Sequence, residues 1–432
     1  MANSYLNKTA SNGERKKCTF SAWIKKSPSG SDYPRVFSSY IGSSDYLRFN
    51  FNRTTDGEQL QLYIETSGAA PTLLTNRSFR DPSAWYHLVF AIDTTLATAD
   101  DRMKIYVNGV QETSFATRTN PSQNQDFPLN SSSATMYIGR QASSSAAFFN
   151  GYMSHVSFVD GQALAPTVFG QTDSTSGIWK FKSPSGVTWG TNGFHLKFEN
   201  SGNLGLDSSG NLNTFTVNGN GRQALDTPSN VYATLNPLII NNFLASTIIY
   251  AATTEGNNTL TGTSATNNGN GWSTLGASSG KWYCELKVTL KDGGYPYIGV
   301  APEDMLTVQG GNYGVPGFQY TDTVSYNVDG TVRINSSTSG FGDTYGLNDI
   351  IGIAMDLNNG AVYFSKNGTW QNSGDPTSGA SKTGAGLTFT ANDKYYFFGA
   401  SVFKTTNQVK FNFGNGYFGT TAITSAGSNG NG

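Results

Sequence analysis

The residue types that carry covalent or proton-transfer chemistry are sparse in this sequence and poorly spaced for it. A strand that offers an acid and a nucleophile to a sugar must hold two carboxylates about 5–5.5 Å apart on one face, and therefore at alternating positions. Asp100 and Asp101 are adjacent, so they point to opposite faces, and they fit a turn before the strand-like run KIYVNG. The three histidines, His87, His155 and His195, have no neighbours at metal-ligand spacing. His87 and His155 fall on predicted strands, facing away from the more apolar side, and are expected to be hydrogen-bonded sheet residues. Without a nearby His/Asp partner or a nucleophile elbow, a serine or cysteine triad has no support. The chain is expected not to be an enzyme.

Binding chemistry has better material. Aromatic residues make up 13% of the chain. Trp272 lies in NNGNGWSTLG; Tyr313, Phe318, Tyr320 and Tyr326 lie between YIGVA and DIIGIA; Trp370 follows the Asn367-Gly368 turn. Large rigid rings beside polar turns stack on sugars or anchor a protein partner at low entropic cost. Trp272, Tyr313, Tyr320, Tyr326 and Trp370 are therefore the candidate ligand-binding residues, expected as a group to share one exposed surface at a sandwich end; taken singly, each ring fits slightly better as a plug of that end. Asp81, Asp93, Asp100, Asp101 and Asp126 lie in or near predicted loops. Calcium takes about six to eight oxygens, but loop Asp is more often a turn former. No cofactor is expected; calcium stays open without a specific motif, and no ligands are assigned to it.

Strands and turns must position all of these. The chain has 432 residues, 50 of them glycine, and only 13% are charged, against a typical ~25%. CTFSAWIKK places Cys18, Phe20, Ala22 and Ile24 on one face and Thr19, Ser21 and Trp23 on the other. WYHLVFAID, YLRFNF, QLQLYIET and KWYCELKVTL alternate in the same way. Asn108-Gly109, Asn359-Gly360 and Asn367-Gly368 supply turns in which both residues tolerate φ > 0. No helical blocks separate the strands, which predicts sandwiches rather than a parallel α/β sheet. The expected organisation is a sandwich over 1–170, a connector with short strands over 171–245, a second sandwich over 246–418, and a flexible Gly/Ser/Asn tail over 419–432. Extra strands laid on a neighbouring sheet are the alternative for the connector.

Net charge is −1. The one basic cluster, Arg15-Lys16-Lys17, is too small to neutralise a row of phosphates, so nucleic acid is not an expected partner. No stretch reaches the ~20 apolar residues of a membrane span. The opening MANSYLNKT has no basic region followed by an apolar run, so no secretory signal is expected. Cys18 and Cys284 are too few and too far apart for a disulfide framework. Both are expected to be buried free thiols in strands, consistent with assembly in a reducing cytosol.

TFSAWIK, WYHLVFAID followed by KIYVNGV, and FNGYMSHVSFVDGQAL together resemble the laminin-G or pentraxin type of concanavalin-like sandwich. SGKWYCELKV, YIGVA, DIIGIAMDLNNGAVYFSKNGTW and VKFNFG resemble a SPRY domain. The resemblance implies an all-β chain of two antiparallel β-sandwiches, a concanavalin/laminin-G-like jelly roll and then a SPRY-like one. Concanavalin-like glucanases carry a strand of the form Glu-x-Asp-x-x-Glu, and this sequence has none. The domain combination, with LDSSGNLNTFTVNG and LDTPSN between, resembles fibre or appendage proteins of marine and cyanobacterial tailed phages. That resemblance implies a virion protein made in the host cytoplasm. It would bind host cell-surface polysaccharide or protein, touch other virion proteins, and form a homo-oligomer, by resemblance a trimer. The alternatives are a purely structural decoration or connector of capsid or tail, and a polysaccharide depolymerase.

Overall fold

The computed structural model describes residues 4–27, 33–54, 57–66, 68–141, 147–239, 250–306, 315–318, 320–414 and 418. The tail expected over 419–432 lies outside them. By packing, the chain divides into two compact units, Met1–Val231 and Tyr232–Gly432.

The strands of the first unit are β1 (Tyr5–Thr9), β2 (Lys17–Lys26), β3 (Arg35–Gly42), β4 (Asp45–Thr54), β5 (Gly57–Thr66), β6 (Thr72–Ser78), β7 (Trp85–Asp93), β8 (Met103–Val107), β9 (Val110–Gln111), β10 (Phe115–Thr119), β11 (Thr135–Ile138), β12 (Gly151–Asp160), β13 (Gly170–Thr172), β14 (Trp179–Phe181), β15 (Phe194–Leu196) and β16 (Thr216–Asn218). They form an eight-stranded sheet A, ordered β10-β6-β5-β4-β3-β11-β1-β16, and a six-stranded sheet B, ordered β15-β12-β2-β7-β8-β9. The alternating apolar positions of both sheets meet in one core. Phe20, Ala22 and Ile24 of β2 and Leu88, Phe90 and Ile92 of β7 face Leu47, Phe49 and Phe51 of β4 and Leu60, Leu62 and Ile64 of β5. Phe20 stacks between Phe37 and Phe90, with centroids at 4.8 and 5.4 Å. Burying each such ring or Leu side chain stabilises by roughly 1.5–3 kcal/mol. Asn108 and Gly109 take φ of 49° and 80° and turn β8 into β9, as a two-residue hairpin requires.

In the stretch 171–245, expected as a connector with short strands or as extra strands on a neighbouring sheet, β15 and β16 lie on the sheets of the sandwich. The part of this stretch up to Val231 belongs to the first unit: β15 pairs with β12 and β16 with β1. The hairpin of β13 and β14 covers sheet B on the side away from the core, where Trp179 reaches His87 and Phe181 stacks on His155. The residues from Tyr232 belong to the second unit, where Leu235 and Asn236 donate backbone hydrogen bonds to Asn257 and Trp272.

The second unit pairs one sheet of Ala251–Thr254, Thr259–Gly262, Gln408–Asn412, Lys281–Leu290, Ile350–Asp356, Ala361–Lys366 and Thr369–Trp370, with Leu387–Thr388 beside Ala361–Lys366, and a second sheet of Asn268–Trp272, Tyr396–Phe403, Tyr297–Pro302, Val324–Tyr326, Thr331–Ile334 and Ser337–Gly340. Cys284, Leu286 and Val288 enter its core as their alternation requires. Trp282 shares their parity but is 52% exposed, at the end of the strand. Cys18 and Cys284 are buried free thiols, and burial raises both above the ordinary thiol range. Among the described residues no helix is long and apolar enough to cross a membrane.

Candidate functional site

The aromatic candidates of the second unit do not form one exposed surface. Trp272 is fully buried with Ala301, Met305 and Leu306, and Tyr320 is half-buried against the same cluster. Its turn-rich sequence context is misleading because the run is a strand, Asn268–Trp272, hydrogen-bonded to Tyr396–Phe403. Gly399 opposite leaves room for the indole: a Cβ there would lie 2.2 Å from Trp272 Cε3. Tyr326 is also fully buried, with ring centroids of Tyr345 and Phe364 at 5.2 and 5.6 Å, and its hydroxyl donates to the Asp343 carbonyl. Trp370 is half-buried in a different cluster, with Ala354, Ala361 and Tyr363, edge-on to Tyr283 at 6.2 Å. Phe318 is 9% exposed. Tyr313 lies outside the described residues.

In the first unit the outer side of sheet B is rich in polar groups, and its own chain covers it. His87 Nε2 lies 2.8 Å from Ser21 Oγ, and Trp179 Nε1–H donates to His87 Nδ1 at 2.9 Å. That donor fixes the tautomer: Nδ1 accepts, so Nε2 carries the proton and points it at Ser21. His87 cannot then act as a base toward Ser21, and burial holds its imidazole neutral, down to about 3. Trp23 stacks on the ring at 4.8 Å. Nearby, Asp226 accepts from Lys25 Nζ at 2.7 Å and from Trp85 Nε1 at 2.9 Å in a buried triad. His155 and His195 are 40 residues apart, yet Nδ1 and Nε2 lie 3.3 Å apart because β12 and β15 are neighbours. Sequence spacing had shown no such pair. Burial lowers both, each to about 4. Phe181 covers His155 at 3.5 Å and Trp189 stacks on His195 at 5.9 Å. Among the described residues no group of at least three His, Cys, Asp or Glu is placed to share a metal.

Sheet A presents the opposite situation. With Leu47, Phe49, Phe51, Leu60, Leu62 and Ile64 committed to the core, Tyr46, Arg48, Asn50, Gln61, Tyr63 and Glu65 point outward. The ladder registers align them across strands. Tyr63 lies opposite Arg48, Arg48 opposite Ser38, Ser38 opposite Tyr137, and Tyr137 opposite Asn7. Tyr63 and Tyr137 are thus three strand spacings apart, roughly 14 Å. A β-bulge at Val36 lets both Val36 and Phe37 enter the core and turns Arg35 outward, opposite Asn50.

Three guanidinium groups lie among the rings of this face. Arg48 sits over Tyr63 at 4.1 Å from the centroid and within 5.9 Å of Tyr46 and Tyr33. Arg35 also approaches Tyr33, at 5.5 Å. Arg140 lies 4.4 Å from the Tyr5 ring and 5.1 Å from Tyr137. Tyr33 is 42% exposed, and Tyr46, Arg48, Tyr63, Tyr137 and Arg140 are half-buried. Arg35 donates to the Tyr33 carbonyl and to Gln141 Oε1, both neutral acceptors. Burial, and then the nearby charge of Arg48, lower its guanidinium to about 9. The Nε–H groups of Arg35 and Arg48 and the Asn50 Oδ1 are buried with no hydrogen-bond partner. Water, an ion or a ligand can complete such atoms; Trp23 Nε1 on sheet B and Trp272 Nε1 in the second unit are orphaned likewise. The outward carboxylate, Glu65, accepts the hydroxyl of Tyr63.

Two families match the chain. Residues 2–168 match the concanavalin A-like lectin/glucanases superfamily, and residues 281–416 match the SPRY domain. The chain is therefore an ordered pair of concanavalin-like and SPRY sandwich domains, of kinds that commonly bind carbohydrate or protein. No curated protein matches it. Among solved structures, it is similar to the SPRY domain of human HERC1 (14% identity, 44% of this chain and 99% of that one, TM-score 0.31). It is similar to the heptameric SAP-like pentraxin from Limulus polyphemus (18% identity, 38% and 72%, TM-score 0.28). It is also similar to tailspike protein 2 of the Escherichia coli O157:H7 bacteriophage CAB120 (13% identity, 38% and 22%, TM-score 0.30).

Proposed function

We propose that this chain is a non-catalytic recognition protein whose first unit binds carbohydrate on the outer face of sheet A. The observation that carries this reading is the row Tyr63, Arg48, Tyr137 and Asn7 across neighbouring strands, with buried Ser38 between Arg48 and Tyr137 giving its hydroxyl to the Arg140 carbonyl. Tyrosine faces suit the apolar side of a sugar ring, while guanidinium, amide and hydroxyl groups suit its hydroxyls. Nothing in that row is arranged as an acid with a nucleophile. The serine–histidine contact on sheet B has its acceptor nitrogen already taken by Trp179. The same reading makes the chain an appendage of a tailed-phage particle, assembled in the host cytoplasm as a homo-oligomer, with host envelope glycan as its target. The pairing of a concanavalin-like with a SPRY domain supports it.

A glycan array that includes bacterial envelope polysaccharides, probed with the full chain and its Tyr63→Ala variant, tests the binding. Wild type should be retained on a subset of glycans and the variant at least tenfold less. Equal retention of both, or retention of neither, refutes the proposal. Mass spectrometry of purified particles tests the appendage role.

A further inference from the structure

We infer that the ligand of the sheet A face is an acidic polysaccharide, and that Arg48 receives a carboxylate of one of its sugars. This rests on the carbohydrate reading above and specifies it. The overall charge of the chain is −1, yet Arg35, Arg48 and Arg140 gather on one face around exposed or half-exposed tyrosines. Among the described residues no ion pair joins a carboxylate to Arg35 or Arg48. Two of these cations, Arg35 and Arg48, approach the same Tyr33 ring. Like charges brought together in a partly desolvated place repel, and an anion bound between them offsets that repulsion.

The geometry also selects the kind of anion. Tyr63 occupies one face of the Arg48 guanidinium. The terminal N–H groups of a guanidinium match a planar carboxylate in a bidentate pair. Tyr46 and Tyr63 stand side by side, 5.9 Å apart and 26° from parallel, with Arg48 near both rings. A sugar whose carboxylate meets Arg48 can lay its ring on either tyrosine. Tyr137 and Arg140, further along the same sheet, repeat the pairing of ring and cation for another sugar of the same chain. Repetition of one motif across strands fits a repeating polymer better than a single small molecule.

The test measures equilibrium binding of the full chain to polygalacturonate, to neutral dextran, to dextran sulfate and to oligo-dT. Arg48→Gln is measured alongside, with circular dichroism to show that it is folded. The expected result is binding to polygalacturonate at least tenfold tighter than to the other three, weakened at least fivefold between 50 and 500 mM salt, on the order set by charge screening. Arg48→Gln should bring polygalacturonate down to the dextran level. Tightest binding to dextran sulfate or oligo-dT, or polygalacturonate binding that Arg48→Gln leaves intact, overturns the inference. Preference for neutral glycans lost in Tyr63→Ala would overturn the acidic specificity and leave the carbohydrate reading standing; absence of binding to any glycan overturns both.

Discussion

On sheet B of the first unit the outward polar side chains, Trp23 Nε1 excepted, end on other groups of the same protein, whereas on sheet A Arg35, Arg48 and Asn50 are only partly paired. His87 is held by Ser21 and Trp179, and Asp226 by Lys25 and Trp85. Arg35, Arg48 and Asn50 each keep a buried polar atom without a partner. Both faces belong to one sandwich and share one core, so the difference lies in what was laid over them. The segment that follows the sandwich covers sheet B and supplies partners to His87, Lys25 and Trp85. Buried polar groups are affordable when paired and costly when not. On sheet A, Arg35, Ser38 and Asn50 are buried, and an external partner has most to offer at the exposed Tyr33 and the half-exposed Tyr46, Arg48 and Tyr63.

The comparison can be broken by unpairing the covered face. Asp226→Ala takes the carboxylate away from the buried Lys25 ammonium, and should destabilise the first unit by about 3–5 kcal/mol in denaturant unfolding. Glycan retention by the folded fraction should be unchanged. Titration gives the next effect. His87 has a folded value of about 3 against an ordinary 6.5. Below pH 6.5 the unfolded chain therefore takes up a proton that the folded chain refuses. Its contribution to stability is full above pH 6.5 and is lost as pH falls toward 3. His87→Gln should flatten the stability–pH curve between 6.5 and 4 by about 1.4 kcal/mol per pH unit, read from unfolding midpoints across that range. Trp179→Phe keeps the ring but removes the donor to His87 Nδ1, and should lower stability by about 1–3 kcal/mol. On the open face, Arg48→Ala should change stability by no more than about 0.5 kcal/mol in the same unfolding assay while weakening glycan binding at least tenfold. A stability loss as large as that of Trp179→Phe would make Arg48 a structural residue and erase the contrast.

Much of the open face was legible in the sequence. YLRFNF and QLQLYIET alternate so strictly that naming Leu47, Phe49, Leu62 and Ile64 as core sends Tyr46, Arg48 and Tyr63 outward. The row they form was not legible, because it depends on registers between strands far apart in sequence, such as Ser38 with Tyr137. Arg35 was hidden by the bulge at Val36, which reverses the parity that alternation would assign. The covering of sheet B was hidden for a related reason: short strands among Gly and Asn turns carry too little pattern to show which face they will lie on. The loop aromatics failed differently. Trp272 and Tyr326 sit among turn residues, but local polarity says nothing of a cavity made by Gly399 on a strand over a hundred residues later.

A crystal structure of the full chain soaked with an oligogalacturonate tests the central claim most directly. The account predicts sugar rings over Tyr46 or Tyr63 with a carboxylate on the edge of Arg48. Sugar bound at another place, with that face of sheet A bare, would contradict it.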